Sequence, residues 1–379
     1  MVQALILEGN PFVADTFRKT SKRLLDDTGG NTGNLAFRYA VNGQVHGARQ
    51  MSWGSGADKV KAAGDVIVLP LANQLGKHTD LGTQADIMKE VGLPVIGVGL
   101  GAQADKIGDD VVLTDGTKKW LRTLAELAPV AGKPSIGVRG EYTRQQIEKL
   151  GFSDLAIVTG CPSNFINLED DIATLVSQRF KRTGGSIAVT AGIPHIPHLA
   201  PLERQLADIV TLTDGAYIVQ HGLGMVQIAR NEFDLMGEDA LALTHDYIQP
   251  HMSRGEFIAW CRRYAYALLD VRYWMDFVQR FDFVVGTRFH GVMIAIQAGI
   301  PAGCIAHDSR TFEMCQTMAI PVCKASDLSG DVTRHNVRDF FSFDADRYRE
   351  TRRMLARNYL QVTDSAGVRL SQALTAFAA

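Results

Sequence analysis

The stretch "GTRFHG", residues 286–291, sets an arginine and a histidine two positions apart between two apolar runs. Val284 and Val285 end the first run and residues 292–298 form the second, so Arg288 and His290 fall in a turn between a buried strand and a buried helix. Such a turn, at the carboxyl end of a strand, is where open α/β sheets bind ligands. The helix behind it offers unpaired backbone N–H groups and a partial positive charge, which favour an anion. Arg288 adds a planar fork matched to phosphate or carboxylate. His290 can exchange a proton near neutral pH, and Gly291, without a Cβ, lets a ligand approach the backbone. The same residues also fit a structural role, an arginine paired with an acid beside a histidine that caps the helix.

Arg139, in "SIGVRGEY", repeats the placement in the other half of the chain, after a strand and before a helix. Two arginines at two strand ends could meet across one cleft; a surface salt bridge is the alternative for Arg139 by itself. In "GGNTGN", residues 29–34, the glycines can expose backbone N–H groups to an anion or a sugar. His221, in "IVQHGLG", also follows a strand and precedes a glycine, and is read equally as functional or structural. His78 is a weaker candidate at short distance beyond a strand, whereas His195 and His198 sit among prolines and read as loop packing. The glycine patterns match neither GxGxxG nor the P-loop, and HExxH and GxSxG are missing, so no nucleotide cofactor and no metal is called for. Cys161, Cys261, Cys304, Cys315 and Cys323 form no CxxC pair and read as reduced, packed thiols, with Cys161 in "TGCPSN" the one that could border a site.

These residues must be carried by elements, and the pattern supplies them. Short apolar runs alternate with helical spacing, which predicts α/β architecture with parallel sheets. Strands are expected over residues 2–7, 65–69, 94–98, 135–138 and 156–159, with helices over 13–24, 83–91, 117–127 and 141–150. After Gly184 and Gly185 a second series begins, with strands over 186–190, 216–220, 283–285 and 303–306 and helices over 199–212, 254–266 and 273–280. The tail from residue 346 has the spacing of one or two charged amphipathic helices. We therefore expect two facing Rossmann-like domains, residues 1–180 and 181–345, and a helical segment, 346–379, that crosses back to the first half.

Composition bounds the function classes. With 39 basic and 41 acidic residues the chain has a formal charge of −2, which gives no footing for nucleic acid. The start, "MVQALILEGN", lacks a basic segment followed by a long apolar one, and no apolar run is long enough to span a bilayer, so a cytoplasmic location is expected. The amphipathic tail leaves peripheral membrane contact open, with packing against the domain as the competing use, and nothing in the sequence sets an oligomeric state.

Four segments in order resemble the polysaccharide pyruvyl transferase family. "GGNTGN" is similar to its early Gly-Asn-x-Gly-Asp loop, and "GVRGEYTRQQIEKLG" with "VTGCPSNF" to its strand–Arg–helix segment. "GTRFHGVMIAIQAGIP" resembles its Gly-x-Arg-x-His-Gly signature, the most specific of the four, and "AHDSRTFEMCQTMAIP" resembles the stretch beyond it. The resemblance implies a two-domain fold like that of GT-B glycosyltransferases, with the acceptor on the N-terminal side. It also implies transfer of the pyruvyl group of phosphoenolpyruvate to sugar hydroxyls, giving a ketal in bacterial exopolysaccharide or cell-surface glycan synthesis. Phosphoenolpyruvate is then the donor substrate and no cofactor is needed, while the sequence leaves open whether the sugar acceptor is lipid-linked, nucleotide-linked or part of a finished polymer. On this basis Arg288 and Arg139 hold the donor's phosphate or carboxylate and His290 serves as acid or base. Gly30, Asn31, Gly33, Asn34, His221, Gly291 and Arg310 become substrate-binding candidates, Arg310 standing where the family usually has a lysine. The chain departs from the family at Asn34, where the loop usually has an acid, and at "VLPLANQLG", which replaces a glycine cluster. A nucleotide-sugar GT-B glycosyltransferase and a non-catalytic glycan-binding subunit are the rival readings.

Overall fold

The computed structural model describes residues 2–104, 109–328 and 330–379. The first half forms β1 (Ala4–Leu7), β2 (Arg49–Met51), β3 (Val66–Pro70), β4 (Val95–Leu100), β5 (Ile136–Val138) and β6 (Ala156–Val158), all parallel, in the order β2-β1-β3-β4-β5-β6. The second forms β7 (Ile187–Thr190), β8 (Ala216–Val219), β9 (Ala265–Ala267), β10 (Phe283–Gly286), β11 (Ala302–Ala306) and β12 (Val322–Lys324). These are again parallel, in the order β12-β11-β10-β7-β8-β9. Two parallel sheets flanked by helices make the α/β, two-domain Rossmann-like arrangement that the alternating pattern predicts. Central strands such as "ALIL" and "FVVG" are apolar throughout because helices cover both faces of a parallel sheet.

Each sheet reverses its winding direction once, between β1 and β3 in the first and between β7 and β10 in the second. Connections leave such a pair in opposite directions and open a crevice at the strands' carboxyl ends. Glu8 directly follows β1, and Thr287 and Arg288 directly follow β10, so both crevices carry side chains able to bind or react.

Several connections tie the halves together. The helix Phe289–Gln297, buried along its length, packs against the helix Asn34–Gln44 and the 3₁₀ turn Pro162–Phe165 of the first half. Residues 29–34 dock on the second half, where Thr32 N–H donates to the Gln220 carbonyl at 2.9 Å and Asn31 bridges His221. The helices Ala345–Ser365 and Gln372–Ala378 return to the first half, where Leu370 pairs with Val45 and Ser371 N–H donates to the Gln44 carbonyl at 2.7 Å. Tyr348, Leu355, Tyr359 and Val362 are wholly buried, so the apolar face of the longer helix is occupied by the protein itself rather than free for a bilayer. Among the described residues no helix is long and apolar enough to cross a membrane.

The expected helix over 13–24 is not formed. A 3₁₀ turn, Thr16–Arg18, comes first, and the helix proper is Ser21–Asp27, because the Thr20 hydroxyl accepts from Arg23 N–H and starts it there.

Candidate active site

A cavity of about 650 Å³ opens between the carboxyl ends of the two sheets. Its lining includes Arg38, Arg139, Arg288 and Arg310, and Glu8 is the one carboxylate among the described lining residues. That imbalance, in a chain with a net charge of −2, makes the cavity a place for an anion.

Arg139 leaves the end of β5 and lies back across the neighbouring strand ends. Its Nε donates to the Gly99 carbonyl at 2.7 Å and its Nη2 to the Leu71 carbonyl at 3.2 Å, with the Phe37 ring 5.5 Å from the guanidinium carbon. The side chain is 3% exposed, which removes the surface salt bridge that the sequence left open. Burial and the nearby Arg310 both disfavour its charge, and the neighbouring Cys161 acts the other way. No carboxylate pairs with it among the described residues. A buried cation costs several kcal/mol to desolvate, and three neutral contacts offset only part of that. The remainder is available to a ligand that brings negative charge.

Arg288 presents the same condition from the opposite sheet. Its Nε and Nη2 are buried without hydrogen-bond partners. Behind it, Glu203 is buried and occupied by Tyr217 and by the backbone N–H of Gly192, the latter at 3.0 Å. Glu203 draws Arg288 electrostatically, while burial pushes the Glu203 carboxyl up. Arg310, in the first turn of the helix Ser309–Thr317, has Nη2 3.6 Å from Asp308 and a buried Nε with no partner.

His290 stands among these cations at the start of its helix. Its Nε2 is 3.6 Å from the Cys161 thiol, and its ring lies 5.8 Å from that of Phe37. Burial above all, then Arg139 and Arg310, hold its pKa well below 6.5. The imidazole of the free protein is therefore neutral at pH 7, a different starting state from a ready-charged proton donor. Cys161 also receives the Ser163 hydroxyl at 3.1 Å, so this buried thiol borders the site, as its place in "TGCPSN" indicated.

The remaining candidates divide by what they touch. Asn31, Asn34 and His221 line the cavity, as do His78 and Arg310. Asn34 turns its amide back to the Thr28 carbonyl at 2.9 Å and thereby fastens the loop. His221 is lowered to about 4, by burial first and then by Arg288 and His195, and its Nδ1 is buried without a partner. Gly30, Gly33 and Gly291 are not among the lining residues. A Cβ on Gly33 would fall 2.6 Å from Gln220 Oε1, and one on Gly291 2.4 Å from Thr190 Cγ2. Smallness at both thus serves close packing. Gly30 takes a left-handed φ of 79° in the loop and faces open space.

The lining also includes Glu8, Trp53, Gln84 and Gln103, which the sequence did not single out, and Asn73 and Gln74 from "VLPLANQLG", the segment that departs from the family. Glu8 carried a legible signal, its position immediately after the first strand. Gln84, on the helix Gly82–Val91, and Gln103 carried none, since a lone Gln is ordinary.

A family model described as polysaccharide pyruvyl transferase matches residues 53–309, more than half of the chain. The chain belongs to the polysaccharide pyruvyl transferase family. Membership makes it a transferase and gives it a role in pyruvyl transfer for glycan synthesis, and the matched span contains Arg139, Arg288 and His290. A search of curated proteins returns no match. Among solved structures the chain is similar to the S. aureus MnaA–UDP co-structure, at 10% identity and a TM-score of 0.44 over 97% of this chain and 91% of that one.

Proposed function

We propose that this pyruvyl transferase moves the pyruvyl group of phosphoenolpyruvate onto two hydroxyls of a sugar, forming a ketal during exopolysaccharide or cell-surface glycan synthesis. One observation carries the reading: Arg139 and Arg288, from two different sheets, line one cavity, Arg139 with no carboxylate partner among the described residues and Arg288 with its buried Nε and Nη2 unpaired, and His290 lies among them. A small donor with a phosphate and a carboxylate suits two such forks. The arginines hold the donor and stabilise charge in the transition state. His290 places a proton on the methylene carbon while a sugar oxygen attacks the neighbouring carbon. The acceptor is lipid-linked or nucleotide-linked, the work is done in the cytoplasm, and no cofactor takes part.

Calorimetry with phosphoenolpyruvate tests this directly. Arg288→Lys keeps the charge but loses the bidentate fork, and we expect it to weaken donor binding by about tenfold or more. Unchanged affinity in that variant counts against Arg288 as a donor ligand. A thermal shift with a UDP-sugar and none with phosphoenolpyruvate would favour the glycosyltransferase reading instead.

A further inference from the structure

We propose that Cys161 is a positioning residue for His290: its thiol engages Nε2, so that Nδ1 is the nitrogen that faces the donor and gives up the proton. The proposal rests on the pyruvyl-transfer reading above and names the ring atom that carries out its acid step.

The sulfur is held in place by the chain around it. Cys161 and Ser163 are wholly buried at the turn Pro162–Phe165. Cys161 N–H donates to Met318 Sδ at 3.2 Å, and Gln44 Nε2 donates to the Pro162 carbonyl at 2.9 Å. The turn packs against the helix Phe289–Gln297, and Sγ comes to 3.6 Å from His290 Nε2. The imidazole also packs on Phe37 and Phe289, whose ring centres lie 5.8 and 5.3 Å from its own.

The protons decide the direction of the contact. Among the described residues the Cys161 sulfur is the one hydrogen-bond partner of the Ser163 hydroxyl, at 3.1 Å. A buried hydroxyl proton without an acceptor is costly, so it points at the sulfur. The thiol's own proton then goes to Nε2, which must be bare to accept it. A neutral ring with a bare Nε2 carries its proton on Nδ1. The opposite arrangement, Nε2–H onto sulfur in a neutral ring, either asks a weak acceptor to take two donors or strands the Ser163 proton.

The same contact decides which nitrogen meets the donor. His290 lines the cavity with Arg139, Arg288 and Arg310, whereas Cys161 and Ser163 do not. Nε2 is therefore turned to the wall. Among the described residues Nδ1 has no hydrogen-bond partner, and it is not one of the buried atoms that lack one, so it opens to the cavity.

The step balances. When donor binding charges the ring, Nε2–H makes a charge-assisted bond to sulfur, and the thiol turns from donor to acceptor. The Nδ1 proton goes to C3 of phosphoenolpyruvate, where the C2–C3 π pair binds it. A sugar oxygen bonds to C2 and passes its proton to the phosphate group. Attack by the second hydroxyl expels that phosphate, and the second proton returns to Nδ1.

Nitrogen NMR of isotope-labelled histidines tests this, the His290 signals being those lost in His290→Gln. In the free wild type at ~pH 7 we expect a protonated Nδ1 and an unprotonated Nε2. Cys161→Ser should keep that pattern, because a hydroxyl also donates to Nε2. Cys161→Ala should lose it, the proton moving to Nε2 or exchanging between the two nitrogens. Adding phosphoenolpyruvate to the wild type should shift Nδ1 and protonate Nε2. An Nε2–H ring in the free wild type would overturn the role of Cys161 with no variant needed, and so would an alanine variant with the wild-type pattern. Bound phosphoenolpyruvate that leaves Nδ1 unmoved would overturn delivery from that nitrogen. Calorimetry on the same sample separates the two readings: if phosphoenolpyruvate does not bind, the pyruvyl-transfer reading falls, while the tautomer is judged on the free protein.

Discussion

Burial, Arg139 and Arg310 all oppose a proton on His290, so the free protein holds a neutral imidazole at pH 7. A polyanionic donor between the arginines reverses two of those three causes, because its charge cancels the cationic field at the ring. Binding should therefore raise the pKa of His290 and draw in a proton. Calorimetry of phosphoenolpyruvate binding in buffers of different ionisation enthalpy measures this uptake, and subtracting the same titration of His290→Gln removes the proton balance of the donor's own phosphate. We expect the wild type to take up more protons than the variant. Equal uptake in the two proteins would mean that the ring stays neutral in the complex. His290→Gln should also cut transfer by about 10²–10⁴ while donor binding is kept, since an amide hydrogen-bonds but delivers no proton. If the variant releases phosphate at the wild-type rate, His290 only starts its helix.

At the scale of elements, the helix Ser309–Thr317 of the second half meets the first turn of the helix Glu141–Lys149 of the first. Glu313 accepts from Tyr142 N–H, and Gly140 makes room, since a Cβ there would lie 2.5 Å from the carboxyl. Burial above all raises Glu313 from 4.5 to about 7, with Glu141 adding to the rise and the Tyr142 N–H opposing it. A pKa raised by folding means that the stability of the buried neutral carboxyl is fully present below about 4.5 and is lost as pH climbs through about 7, at most tenfold per pH unit, because burial disfavours the ionised form. Glu313→Gln keeps an acceptor oxygen and removes the titration. Thermal melts at ~pH 5.5 and ~pH 8 should show a smaller difference for the variant than for the wild type. The same slope in both would assign the pH dependence to other groups. Elements of this kind were legible in the sequence to different degrees. Central strands such as "ALIL" and "FVVG" announce themselves because burial on both faces demands unbroken apolar runs. The edge strand "RQM" is polar and largely exposed, so only its pairing with β1 defines it. The contact of Glu313 with Tyr142 joins residues far apart in the chain, and no local pattern encodes it.

In the whole molecule, the site was legible where one short segment carries several parts of it, as "GTRFHG" does. It was illegible where parts arrive singly from separate segments, as Trp53 and Gln103 do. What brings those segments into register is the packing of the two halves, and Arg352 on the C-terminal helix is a test of it. The residue is 2% exposed, with Nε donating to the Asn164 carbonyl at 3.1 Å, Nη2 donating to the Asn167 carbonyl, and the guanidinium 4.7 Å from the Phe377 ring centre. Asn164 belongs to the turn Pro162–Phe165, which follows Cys161 and packs against the helix that begins beside His290. Arg352→Ala would leave one buried and one half-buried carbonyl without donors and open a void, a loss of about 3–5 kcal/mol by denaturant unfolding. Arg352→Met restores most of the volume but not the donors, and should lose about 1–3 kcal/mol. Because the turn supports the helix of His290, donor affinity should fall in the same order, Ala more than Met. If Arg352→Ala unfolds like the wild type, or is destabilised while binding phosphoenolpyruvate unchanged, the C-terminal helix does not position the site.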